Sequence, residues 1–200
     1  GSVRVSQMTM LTACFSTFAL LSSLDRRHMQ VVIGRLLEMG ASVDGLSEDR
    51  RTPDMTPFYG ACASLSRPLI DLLVKNGAKP DLNTVIHPLY PVVKHASDPD
   101  TFSGQEEEEK ALEILDYVLD VLISGTDRRA EFVNRLAGGY PSLLRAALMK
   151  PLVPSLRVLK KLLSCGADPN VDKMLSWWLS SPPYAASEDQ ALKVCDLFFS

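Results

Sequence analysis

Three histidines and four cysteines are the side chains on which catalysis or metal binding could be built in this 200-residue chain. A metal centre needs His, Cys or carboxylate ligands at short, regular spacing. Cys14, Cys62, Cys165 and Cys195 are scattered, with no CxxC pair, and His28, His87 and His95 belong to no HExxH motif. His87 and His95 stand eight residues apart and could share a helix face. The simpler expectation is a helix-capping His87 and an exposed His95, with no metal. Gly138-Gly139 is followed by no Gly-Lys-Ser/Thr, so it reads as a turn before a helix and not as a phosphate loop. No GxSxG elbow occurs. A nucleophile triad is defined by geometry, but three histidines leave few ways to build one. The expectation is a chain without catalytic residues, cofactor or metal.

Charge and aromatic residues point elsewhere. The net charge of −3 provides no field for nucleic acid or an anionic membrane, so neither is expected as a partner. The charges are nonetheless unevenly placed. Ten acidic residues and one lysine lie between Asp98 and Asp127, while eight basic residues and one glutamate lie between Arg128 and Lys161. Each stretch repels itself unless the two meet. Neighbouring helices are therefore expected to set Glu113, Asp116 and Asp120 near Arg157, Lys160 and Lys161; the sharper alternative is a dipole facing a partner. Glu106 to Glu109 reads as a solvated helix start, where carboxylates favour the helix dipole. Trp177 and Trp178 are adjacent on a helix and point about 100° apart, so both can hardly face a core. One is expected to pack and Trp178 to anchor a partner, as tryptophans do at interfaces. An aromatic cage for a methylated lysine, drawn from Tyr90, Tyr140, Trp177 and Trp178, is a variant of that reading.

The elements that must position these groups are helices. The stretch from Met8 to Leu21 is fairly apolar and follows Arg4, but Thr9, Thr12, Ser16 and Thr17 interrupt it, so a buried helix is expected in place of a signal peptide. No stretch has the ~18 uninterrupted apolar residues of a membrane span. Gly1-Ser2 reads as a cloning scar. Scattered cysteines in a chain this long predict reduced thiols and a cytoplasmic or nuclear setting.

One phrase recurs: paired aliphatics closing a helix, then Gly, then a small residue. It stands at Leu36-Leu37-Glu38-Met39-Gly40-Ala41, Leu73-Val74-Lys75-Asn76-Gly77-Ala78, Val121-Leu122-Ile123-Ser124-Gly125-Thr126 and Leu162-Leu163-Ser164-Cys165-Gly166-Ala167. Each Gly is expected to close its helix in the left-handed conformation. A second helix precedes each. The clearest, Thr56-Pro57-Phe58-Tyr59-Gly60-Ala61-Cys62, has a capping Thr, Pro at the first helical position, and small residues for close packing. From Thr56 to Gly77 the chain resembles the ankyrin repeat, with its Thr-Pro-Leu-His-x-Ala opening and Leu-Leu-x-x-Gly-Ala close. The weaker openings are Thr9 to Ala13, His87 to Val93, and Pro141 to Ala147; a last unit has Met174 to Leu179 and Ala191 to Phe199. The spacing of about 40 residues exceeds the family's 33. Insertions are accordingly expected at Ser22 to His28, His95 to Glu108, and Met149 to Ser155.

The resemblance implies an all-α, ankyrin-like helical-hairpin solenoid with short β-hairpin fingers. It implies one domain over 1–200 with about five repeats, roughly 6–44, 52–81, 84–127, 137–170 and 172–199, cut from a longer protein. Fingers are expected after Ala41, Ala78 and Ala167. The family's concave face, carried over, falls on Arg51, Thr52, Pro53, Met55, Gly60, Ala63 and Ser64. It continues through Ile86, Lys94 and His95, and then Tyr140, Arg145, Leu148 and Met149. The function implied is a monomeric scaffold that binds a peptide or folded protein. The alternative is the regulatory or targeting part of a multidomain enzyme whose catalytic region lies outside this chain.

Overall fold

The computed structural model describes residues 14, 23–44, 56–80, 86–96, 105–136, 140–149, 155–173, 176, 180 and 188–199, with side chains left aside at 23–26, 105, 188 and 190. These residues are all-α, and no strand occurs among them. The chain divides into two compact units, Gly1–Val85 and Ile86–Ser200.

The first unit holds α1 (Ser23–Glu38), α2 (Pro57–Ala63) and α3 (Arg67–Lys75). α1 runs unbroken through the segment expected as an insertion, Ser22 to His28, from Ser23 onward. A 16-residue helix needs no inserted loop to reach its buried Ile33 and Leu37. Thr56 caps α2, its Oγ1 accepting from the Tyr59 N–H at 3.1 Å, and Pro57 takes the first turn. α2 buries Phe58, Gly60, Ala61 and Cys62, and α3 buries Leu69, Ile70 and Leu73. Leu65 closes α2 with φ 48°, so the hairpin turn is left-handed without a glycine. α1 meets α3 where Gly34 faces Leu72 and Gln30 Nε2 donates to Ser66 Oγ.

Gly77 (φ 95°) ends α3 in a Schellman cap: its N–H bonds Val74 O at 2.9 Å, and the Ala78 N–H bonds Leu73 O at 2.9 Å. Asn76 Nδ2 donates to Leu72 O at 2.8 Å, satisfying another terminal carbonyl. Gly40 and Gly166 repeat the pattern, with Ala41 N–H to Leu36 O and Ala167 N–H to Leu162 O.

The second unit contains α4 (Tyr90–Ala96), α5 (Gln105–Asp116), a π-helical segment (Tyr117–Leu122), α6 (Thr126–Asn134), α7 (Leu143–Leu148), α8 (Leu156–Ser164), a 3-10 turn (Val171–Lys173) and α9 (Glu188–Phe199). α4 packs on α5 and α7, α7 on α6, and α8 on α5, α7 and α9. The core of α5 is a stripe of Ala111, Ile114 and Leu115, continued by Val118 and Leu119.

One expectation is overturned here. Gly125 does not close the preceding helix in the left-handed conformation. That helix widens into a π turn, with the Ile123 N–H reaching Val118 O, and Gly125 (φ 97°, ψ 135°) begins α6. The wide turn shifts the register, leaving Val121 64% exposed and burying Ile123. α6 starts at Thr126, beside the rough repeat boundary expected at 127.

The described part of the finger expected after Ala167 is a turn. Asp168 Oδ1 accepts from the Asn170 N–H at 2.8 Å and from Asn170 Nδ2 at 3.1 Å, and a 3-10 turn follows. That side-chain bond gives the backbone a local alternative to strand pairing. The other fingers, after Ala41 and Ala78, lie mainly outside the described residues, as does the opening helix at Thr9 to Ala13.

Candidate functional site

Five of the six residues of α7 are buried: Leu143, Leu144, Ala146, Ala147 and Leu148. A helix so enclosed can present little to solvent, and what it presents is Arg145. The concave role expected for Leu148 is thereby excluded, since its side chain is fully buried, and Ile86 is buried as well. Ser142 starts α7, its Oγ accepting from the Arg145 N–H at 3.2 Å.

Arg145 opens onto a groove of about 570 Å³, lined also by Asn170, Asp172, Lys173, Ser176 and Ser180. Asp172 Oδ2 takes the Arg145 guanidinium at 3.2 Å and the Ser142 N–H at 3.3 Å. Both charged side chains of that pair are only about a quarter exposed (28% and 23%), so the pairing is partly shielded from solvent. Asp172 and Lys173 both adopt left-handed backbone, with φ 60° and 51°. For non-glycine residues this costs about 1–2 kcal/mol each. Such strain persists where the surroundings over-determine it. Here the Asp172 carboxylate, tied to Arg145 and to the start of α7, supplies that constraint. Ser180 Oγ donates to Ser176 O at 2.8 Å, setting the two serines one helical turn apart.

The other expected contact residues are dispersed. Tyr140 is 37% exposed and meets Tyr90 edge to face, with centroids 5.6 Å apart and planes at 70°. Half of the suggested aromatic cage is thus brought together; Trp177 and Trp178 lie outside the described residues, as do Arg51, Thr52, Pro53 and Met55. Met149 is 47% exposed at the end of α7. Ser64 lies in the first unit, half-buried, its hydroxyl donating to Ala61 O at 2.8 Å. Lys94 is exposed and His95 half-buried in the last turn of α4.

His87 does not cap α4 as expected: it stands three residues before the helix start at Tyr90, in the turn that leads in, and it is deeply buried. Its Nδ1 accepts from the Leu89 N–H at 3.1 Å, and its Nε2 lies 2.8 Å from Phe132 O. Nδ1 must be bare and Nε2 must carry the hydrogen, which fixes a neutral ring. Burial lowers its pKa to about 4, against the backbone bond to Phe132, and the positive Arg135 lowers it further. Burial also raises the Cys62 and Cys165 thiols, which keeps both sulfurs protonated.

The acidic and basic stretches meet. Lys161 Nζ lies 2.6 Å from Asp116 Oδ1 and 2.5 Å from Asp120 Oδ2, Arg129 binds Asp120 at 3.1 Å, and Arg157 reaches Glu108 at 3.4 Å. Burial works against the Lys161 charge, but the two aspartates outweigh it and raise its pKa. Ser155 links the same helices through Glu108.

Among the described residues, no three His, Cys, Asp or Glu side chains gather as a metal site, and no helix is long and apolar enough to cross a membrane. The chain matches no model of a known protein family, and no curated protein is detectably similar to it.

The repeat register marks Arg145 in the sequence, but it gives no sign of Asp172, Lys173, Asn170, Ser176 and Ser180. The Asp168-Pro169-Asn170 run signals a turn. Asp172 is of a type that tolerates left-handed backbone, but Lys173 is not, and nothing in the sequence announces the bend there.

Proposed function

We propose that the chain is a protein-interaction scaffold of ankyrin-like helical hairpins, stacked as a solenoid with short fingers. It holds a peptide or folded partner on the face carrying Tyr140, Arg145 and Met149. The observation that carries this reading is the groove at Arg145: an otherwise enclosed helix sends one side chain into an open cleft of about 570 Å³. The Schellman caps at Gly40, Gly77 and Gly166 add support, because the same helix ending recurs in both units. The scaffold acts as a monomer in the cytoplasm or nucleus, without a cofactor, its four free thiols reduced.

The test begins by capturing a partner from cell extract and purifying it. Tyr140→Ala is then expected to weaken binding by about 1–2 kcal/mol, as loss of an interface anchor does. Lys160→Glu, on the outer side of α8, is expected to leave affinity unchanged. Arg145 is a poorer probe, because removing it strands the half-buried Asp172 and costs about 1–2 kcal/mol of folding stability. If Lys160→Glu abolishes binding and Tyr140→Ala does not, the recognition face is the outer surface of α8 instead.

A further inference from the structure

The groove beside Arg145 has a definite charge. Arg145 and Asp172 neutralise each other across 3.2 Å, so among the described lining residues the exposed Lys173 is the charge outside that pair. Lys173 is also where the backbone is costly, being the second of two successive left-handed residues. A glycine would hold that bend without strain, so the presence of a lysine calls for a use of its side chain. Next to it stand the exposed hydroxyls of Ser176 and Ser180 and the amide of Asn170. Asn170 is itself fixed by its two bonds to Asp168 Oδ1. One cation beside hydroxyl and amide groups, on a wall stiffened by an internal ion pair, suits an anionic oxygen group.

We propose that this groove recognises an anionic group, carboxylate or phosphate, carried on a peptide segment of the partner. Lys173 supplies the charge and Ser176 a hydrogen bond, and Asp172 positions both Arg145 and the left-handed turn. This rests on the scaffold reading above and adds the chemistry of what is bound.

Four labelled peptides test it by fluorescence anisotropy on the full chain: short polyglutamate, its polyglutamine counterpart, and a Gly-Ser peptide with and without one phosphoserine. Polyglutamate or the phosphopeptide is expected to bind more tightly than its neutral partner, with affinity falling as salt rises. Whichever anion binds identifies the source. Lys173→Gly is expected to weaken that binding about tenfold, the worth of one charge-assisted hydrogen bond. The same change raises Tm, because glycine relieves the left-handed strain. A raised Tm with unchanged affinity overturns the proposal and leaves Lys173 a purely structural residue. Equal binding of charged and neutral peptides, or no binding of either anion, overturns it too. If a captured partner loses affinity on Tyr140→Ala but not on Lys173→Gly, the scaffold reading stands and the anion site falls.

Discussion

His87 shows how one residue can tie stability to pH. In the fold its ring must stay neutral, since Nδ1 accepts from Leu89 and Nε2 donates to Phe132 O. The unfolded chain protonates this histidine near 6.5 and the folded chain near 4. Between those values the unfolded state binds more protons, so stability is fully present above about pH 6.5 and drains away as pH falls to about 4. The loss amounts to roughly 3 kcal/mol at most. Urea titrations at pH 7, 6, 5 and 4.5 should trace this decline, and His87→Gln should flatten it. A slope surviving in the variant would assign the effect to other groups. The capping glycines make a second test at this scale. At Gly77 a methyl group meets nothing within 4 Å, whereas at Gly166 it would press on Ala130 Cβ at 2.8 Å. Gly77→Ala should cost about 1 kcal/mol through left-handed strain alone. Gly166→Ala should add a packing penalty of about 1–3 kcal/mol. Thermal melts of the two variants must therefore differ, with Gly166→Ala the lower.

At the scale of elements, the legible features were those set by local chemistry. Thr56-Pro57 announced a helix start and became one. Three of the four Gly-small endings became Schellman caps, because the glycine and the preceding aliphatics are enough to specify that turn. The fourth failed at the π segment, where the turn holds one extra residue and the Ile123 N–H reaches Val118 O. Val121 and Leu119 test that account. Val121→Lys, at a position the sequence pattern assigned to the core, should change stability by under about 0.5 kcal/mol. Leu119→Ala, at a fully buried position, should cost about 2–5 kcal/mol. A costly Val121→Lys would restore the regular register. The candidate site was less legible than the helices. Arg145 lay on a readable helix face, but Asp172 comes to it across 27 residues of chain, and no local pattern encodes that meeting. α6 is not legible in the sequence, because it lies between two caps where the repeat spacing places boundary and linker. Its Asn134 now holds Gly166 O and the Asp168 N–H, each at 2.7 Å, docking α6 on the end of α8.

The molecule as a whole is helical where it is described, and its two compact units meet in sequence at Val85 and Ile86. Far-ultraviolet circular dichroism should report more than about half helix, above the soluble-protein average; a strand-dominated spectrum would contradict the fold. Residues 86–200 expressed alone should unfold cooperatively, since His87, Phe132, the acidic–basic seam and the Arg145–Asp172 pair all lie within them. The cap of α3 has a consequence for how the protein ages. Asn76-Gly77 is a dipeptide prone to losing ammonia, because the small glycine lets its own backbone nitrogen attack the neighbouring amide carbon. In the fold both reactants are occupied: the Gly77 N–H is held by Val74 O, and the Asn76 amide by Leu72 O. The cyclic imide needs both released, so it forms only while the end of α3 is open. Succinimide and isoaspartate at Asn76, counted by mass spectrometry in stored protein, thus become a clock for the time that helix end has spent unwound.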